Sequence, residues 1–235
     1  ICSAICYAGF KHQLTGENYE PCRAGNVNPE TQYVLDYFKL KAPRLVENVK
    51  TQVKDIEIRK TKGVSRGISL KNAWGLMQEN NVVTLPCVTE EGLLEGVITI
   101  GDITKSYMNL YDSSIISKAC TKYANILDTL EGSMVVGDSE AYFDRGKVLI
   151  AAANPDLMEN YIEKHDLVIL GNRYESQLCA IEMEAGCIIV CEGAGVSLTI
   201  RKLAQERGCA VITTPYDTYT TARLINQPMP ISYFM

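Results

Sequence analysis

The sequence predicts an α/β protein organised around a parallel sheet, on three grounds. Apolar runs at Val148–Ala152, Leu167–Leu170, Cys187–Cys191 and Ala210–Thr213 alternate with helical stretches at Pro155–Lys164, Tyr174–Glu184 and Ser197–Arg207, and a fourth helix follows Pro215. Strands spaced by helices of this length demand right-handed βαβ crossovers. Upstream, two apolar runs around a Glu90-Glu91-Gly92 turn read as a hairpin set between helices. The 235 residues are 46% hydrophobic and 22% charged, an ordinary globular balance that suffices for one large or two small domains.

Residues 1–48 open with a helix over Cys2–Leu14, already running at Ile1 without a capping residue. A turn at Thr15–Asn18 and a short strand near Glu20–Arg23 follow. A second helix is capped by Asn28, starts at Pro29 and runs to about Phe38, with Tyr33, Val34, Tyr37 and Phe38 on an apolar face. This is too little to close a sheet by itself. In residues 49–112, a Lys- and Arg-rich stretch leads to the Ser69 cap of a helix over Leu70–Asn80, which carries Leu70, Ala73, Trp74 and Met77 on one face. The hairpin pairs Val82–Thr89 with Leu94–Ile100, and a helix over Ile103–Leu110 follows. Residues 113–227 hold the alternating strands and helices. Their loops at Asn154-Pro155, Gly171–Arg173, Glu192–Gly195 and Thr213–Pro215 are where ligands sit in open parallel sheets. Residues 228–235 read as entry into another strand, and the uncapped start suggests a piece of a longer chain.

The net charge is −5, and no stretch gathers enough Lys and Arg to follow a phosphate backbone, which points away from nucleic acid. The longest apolar runs fall well short of the roughly 20 residues that span a bilayer. Nine scattered cysteines without a CxxC pair read as reduced thiols, the usage of a cytoplasmic protein. His12 and His165 are isolated and read as structural.

The sharpest local signal is Gly96-Val97-Ile98-Thr99-Ile100-Gly101-Asp102, where a strand ends and a helix opens on an acid. A carboxylate there can accept hydrogen bonds from both ribose hydroxyls while helix amides face phosphate. The same Asp102 can instead cap the helix. The Glu192–Gly195 loop can cradle an anion or simply turn the chain.

In context, Ser69–Asn80, the strand Val82–Val88 and Gly96–Asp102 resemble a CBS domain across its length, with Cys87 and Thr89 as departures from the usual Val and Asp. CBS domains work in pairs and bind adenine nucleotides between them. The resemblance implies that Thr99 and Asp102 contact ribose and phosphate, and that Gly63, Val64 and Ser65, with Val83 and Thr84, lie near adenine. Lys105 is then a phosphate partner or a solvated lysine. Residues 114–226, through Gly171–Leu178, Glu192–Gly195 and Thr213–Arg223, resemble the DRTGG domain, whose name-giving motif is degenerate here. Residues 1–48, through Ile1–Ala8, Arg23–Thr31, Val34–Phe38 and Lys41–Leu45, look like part of the catalytic DHH domain of a family II inorganic pyrophosphatase.

The order of the three resemblances implies an incomplete DHH-type lobe (1–48), CBS domain 1 (49–112), a DRTGG domain (113–227) and the start of CBS domain 2 (228–235). It further implies an allosterically regulated Mn- or Co-dependent enzyme (Mg being possible) that hydrolyses diphosphate to two phosphates. AMP or ADP would inhibit, and ATP or a dinucleoside polyphosphate would activate. The metal ligands of that family match no residue of this chain, so the fragment itself is expected to be inactive. The competing readings are a non-enzymatic adenine-nucleotide sensor and a ligand-free dimerisation module. A lone CBS unit leaves a sheet face bare, which predicts a homodimer through 49–112 with a second contact in the DRTGG domain.

Overall fold

The structure is a computed structural model and describes residues 1–48, 50–58, 61–108 and 112–235. Its chain divides into two units, Ile1–Lys60 and Thr61–Met235. The division falls within the segment expected as one domain at 49–112.

In the first unit, α1 (Cys2–Thr15) ends where Gly16, at φ 72, returns its N–H to His12 O. Strand β1 (Cys22–Arg23) pairs in parallel with β2 (Arg44–Leu45). Between them, α2 (Pro29–Tyr37) starts at the Asn28 cap, whose side chain accepts the Thr31 N–H. The core is small: Ala8, Leu35 and Pro43 are the buried residues among those described. The face expected inside, with Tyr33, Val34, Tyr37 and Phe38, is instead exposed. Leu35 makes the inward contact. With so few partners, the periodic face of α2 has nothing in this unit to pack against.

In the second unit, Ser69 caps α3 (Leu70–Glu79) by accepting the Asn72 N–H at 3.1 Å. Leu70, Ala73 and Met77 are buried, whereas Trp74, expected beside them, is 41% exposed. Strands β3 (Thr84–Val88) and β4 (Leu94–Thr99) form the antiparallel hairpin, with Thr84 opposite Thr99. Val64 adds a third, parallel lane through a bridge to Cys87. Helix α4 (Ile100–Met108) begins three residues before the expected Ile103, because Thr99 rather than Asp102 stands at the cap position. The expected end of that helix, Leu110, lies outside the described residues.

No periodic pattern marks an element in 113–147. The stretch contains α5 (Ile115–Lys118), β5 (Thr121–Lys122), α6 (Tyr123–Thr129), β6 (Ser133–Val136) and β7 (Tyr142–Phe143), with β5 and β7 paired antiparallel. Then follow β8 (Val148–Ile150), α7 (Pro155–Met158), β9 (Leu167–Leu170), α8 (Tyr174–Glu182), β10 (Cys187–Val190), α9 (Leu198–Arg207), β11 (Ala210–Thr213) and α10 (Thr218–Leu224). Helix α7 is one turn long instead of reaching Lys164. The Asp166 carboxylate accepts the amides of Lys147 and Glu163, both at 2.9 Å, and so holds residues 163–166 in a turn that leads into β9.

The large sheet has the order β6-β11-β10-β9-β8. Strands β8 to β11 are parallel neighbours, and β6 adds an antiparallel edge to the expected parallel sheet. Both faces of β9 and β10 are covered, which is why they read as unbroken apolar runs. One face, with Val168, Leu170, Ile188 and Val190, packs on Met158, Ala180 and Ile200 of the crossover segments. The other face, with Leu167, Ile169, Cys187 and Ile189, joins a core that continues through Ile126 to Leu70, Met77 and Ile98 beside the hairpin.

The last residues complete that core and do not form the expected strand. Pro230 makes one antiparallel bridge to Ser69, and Ile231–Tyr233 is a 3-10 turn. Leu70 N–H donates to Met229 O, and Ile231 N–H to Ile68 O.

Candidate functional site

The hairpin brings Val83, Thr84, Thr99 and Asp102 to one end. Thr84 and Thr99 are register partners, and the Ile100 amide donates to Val83 O at 3.1 Å. Thr99 and Asp102 form a reciprocal cap on α4. The Asp102 amide donates to Thr99 Oγ1 at 3.2 Å, and Asp102 Oδ2 accepts the Thr99 amide at 2.9 Å and its hydroxyl at 2.6 Å. These bonds favour the ionised form. The Thr99 hydroxyl first, then its amide, hold the Asp102 carboxyl below its ordinary value, and Lys105 adds attraction. The capping role of Asp102 is thus present in the structure. Oδ2 is committed to the cap, and Oδ1 stands outside it.

Asp102 and Lys105 line a cleft of about 320 Å³ together with Ser106, Ile115, Tyr233 and Phe234. Ser106 is buried and donates its hydroxyl to Ile103 O, so it shapes the wall. Tyr233 and Phe234 meet edge to face, with ring centroids 5.1 Å apart, and Tyr233 is 41% exposed. The cleft thus offers a carboxylate, an ammonium and an aromatic face. Sequence reasoning missed Ile115, Tyr233 and Phe234. Their arrival beside α4 depends on residues 228–235 returning across the unit, and no local spacing signals it.

The other expected residues are placed differently. Val64 is buried, its amide donating to Pro86 O and its carbonyl accepting from Val88, both at 2.9 Å. Ser65 is exposed and follows on toward the Val88 end of the hairpin, away from Thr84. Gly63 lies tight against Val88, where a Cβ would sit 2.5 Å from Cγ2. These three lie in the lane beyond β3, so that strand stands between them and β4 with Asp102.

The strand-end loops lack the geometry expected of them. The parallel strands run β8 to β11 in one direction across the sheet, and their order never reverses, so no switch-point crevice opens there. Glu192 and Gly193 instead close a turn, donating their amides to Tyr216 O and Thr214 O. Among the described residues, no group of three or more His, Cys, Asp and Glu is placed to hold a metal ion. No described helix is long and apolar enough to cross a membrane.

A helix-flanked hairpin that shares one core with a βαβ sheet domain defines a class. The CBS domain family matches residues 53–109 and the DRTGG domain family residues 125–228. The chain is similar to the crystal structure of the CBS and DRTGG domains of the regulatory region of Clostridium perfringens pyrophosphatase, complexed with the activator diadenosine tetraphosphate. The TM-score is 0.74 and the identity 35%, over 79% of this chain and 81% of that one. The chain belongs to this family of CBS–DRTGG regulatory regions of inorganic pyrophosphatases. It is 38% identical over 235 residues to the cobalt-dependent inorganic pyrophosphatase of C. perfringens, spanning all of this chain and 43% of that protein. It is also 57% identical over 56 residues to the manganese-dependent inorganic pyrophosphatase of Bacillus subtilis, covering 24% of this chain and 18% of that protein.

Proposed function

We propose that this chain is the adenine-nucleotide-responsive part of a metal-dependent inorganic pyrophosphatase, and that the cleft at Asp102 receives the nucleotide. The observation that carries this reading is the cleft's composition. One free carboxylate oxygen accepts a ribose hydroxyl, Lys105 faces phosphate, and the Tyr233 ring offers a stacking surface. The likeness to a regulatory region complexed with diadenosine tetraphosphate supports a dinucleoside polyphosphate among the ligands, beside AMP, ADP and ATP. Residues 1–48 would then be a piece of the DHH lobe, 49–112 the first CBS domain, 113–227 the DRTGG domain and 228–235 the start of a second CBS domain. Hydrolysis of diphosphate, with Mn, Co or Mg, belongs in this reading to residues outside the chain. Exposed Val83, Leu94 and Val97 on the hairpin support a partner surface there, in a cytoplasmic homodimer.

Calorimetric titration of AMP, 2′-deoxy-AMP and 3′-deoxy-AMP tests the site. A hydrogen bond to a charged acceptor is worth about 1.5–3 kcal/mol. Asp102→Ala is therefore expected to weaken AMP roughly tenfold to a hundredfold. One deoxy analogue should bind the unmutated chain correspondingly less well, and the variant should lose that discrimination. If the ligand ratios are the same in both proteins, Asp102 is a cap and nothing more.

A further inference from the structure

A second cavity, of about 530 Å³, lies at the amino-terminal ends of β10 and β11, on the far side of the sheet domain from the strand-end loops. Gly137, Gly186 and Gly208 bare their backbone to it. At Gly186 the fold itself requires glycine, since a Cβ would lie 2.8 Å from His165 O. Val135, Val136 and Ala204 supply apolar wall.

Within it stands Tyr123, which is only 7% exposed. Its hydroxyl has no hydrogen-bond partner among the described residues, nor is it sealed away among the buried unpaired atoms, so it meets the open space of the cavity. Water completes such a hydroxyl in the free protein, and a ligand group that hydrogen-bonds to it takes that water's place. Burial keeps this hydroxyl protonated, and it pushes the neighbouring Cys209 thiol up to about 12. No lysine or arginine lines the cavity, and its one charged side chain is Asp138. Phosphate-bearing ligands therefore find no counter-charge here, unlike in the cleft at Lys105. What the lining offers is an aromatic ring, small apolar walls, a neutral phenol and, at the exposed rim, the Gln205 amide.

We propose that this cavity binds a small uncharged heterocycle of nucleobase to nucleoside size, anchored by a hydrogen bond to Tyr123 Oη with Gln205 as its second contact. The site is independent of the Asp102 cleft and stands whether or not that cleft takes nucleotide.

The test uses the full chain carrying Asp102→Ala, which weakens the first site, and reads signals that belong to the cavity alone. Adenine, adenosine and AMP are titrated while the amide signals of Gly137, Gly186 and Gly208 are followed by heteronuclear NMR. Adenine or adenosine is expected to move all three saturably, with AMP at least fivefold weaker. A higher affinity for adenine assigns the cavity to the free base, and one for adenosine to the nucleoside. Tyr123→Phe, which deletes one oxygen and keeps the ring, should weaken the better ligand about fivefold, as the loss of one neutral hydrogen bond does. Gln205→Ala, at the exposed rim, should weaken it as well and guards against a folding defect in the first variant. The proposal is overturned if neither probe produces saturable shifts, if AMP binds as tightly, or if both variants bind like the parent.

Discussion

At Asp102 a single carboxylate closes a helix cap and borders a cleft. Its Oδ2 closes the cap of α4 with Thr99, and Oδ1 takes no part in that cap. The cap role has a pH signature. Because the folded carboxyl lies below its ordinary value of 3.8, the unfolded chain binds the proton more readily in that range. The stabilisation is then full above the unfolded value and is lost as pH falls through the lower folded one. Asp102→Ala should cost about 1 kcal/mol of stability near neutral pH. The gap between parent and variant should narrow steadily below about pH 4 and close under strongly acidic conditions. Urea denaturation of both proteins along a pH series measures it, and a gap that is constant with pH would mean that the charge contributes nothing to the cap.

Individual elements show how far local rules reach. Caps were legible at Asn28 and Ser69, and each accepts a helix amide, as do Ser197 and Asp217, which the pattern did not single out as caps. The buried strands were legible from their length and apolar continuity. The short pieces at 115–143 were not. Two-residue strands and one-turn helices carry too few residues to establish a period, and their pairing is set by distant partners. Two glycines in the hairpin unit make opposite predictions. Gly75 sits inside α3 with open space where a Cβ would go, so Gly75→Ala should stabilise by about 0.5–1 kcal/mol through reduced backbone entropy. Gly63 meets Val88 at 2.5 Å, so Gly63→Ala should destabilise by about 1–3 kcal/mol through overpacking. Thermal unfolding of the two variants should show shifts of opposite sign; an upward shift for Gly63→Ala would contradict this account of the Val88 contact, and a downward shift for Gly75→Ala the account of α3.

Across the whole of the Thr61–Met235 unit, the hairpin and the sheet domain are not separate bodies. The core that holds Leu70, Met77 and Ile98 also holds Ile169, Ile189 and Ile212. Polar ties cross the same boundary. Lys71 Nζ donates to Asp128 O at 2.9 Å, and Asn125 Nδ2 donates to Gly67 O and Pro228 O at 3.1 Å each. Shared apolar burial of this kind makes unfolding cooperative. Trp74, the one tryptophan of the sequence, reports on the hairpin side, and β10 amides report on the sheet. Their denaturation midpoints should coincide, and Asn125→Ala should move both together. Midpoints that separate, or a variant that shifts only one, would show two independent domains. The same continuity ties the wall of the cleft at Lys105 and Tyr233 to the sheet domain, since Ile231, two residues from Tyr233, is part of the common core.

The sequence by itself determined the α/β class, the hairpin, the parallel strands and their helices, and the Thr99–Asp102 pair. All of these rest on interactions within a few residues or on a burial pattern written along a single strand. It also carried the CBS and DRTGG resemblances, because those motifs are contiguous. Tertiary structure alone decided three things. It bent residues 228–235 back to set Tyr233 and Phe234 beside Asp102, put the antiparallel β6 on the sheet edge, and left the Tyr123 hydroxyl facing a cavity. Each depends on contacts between residues far apart in the chain. There the free energy comes from filling a shared core, and no local periodicity encodes which distant surface will supply the partner.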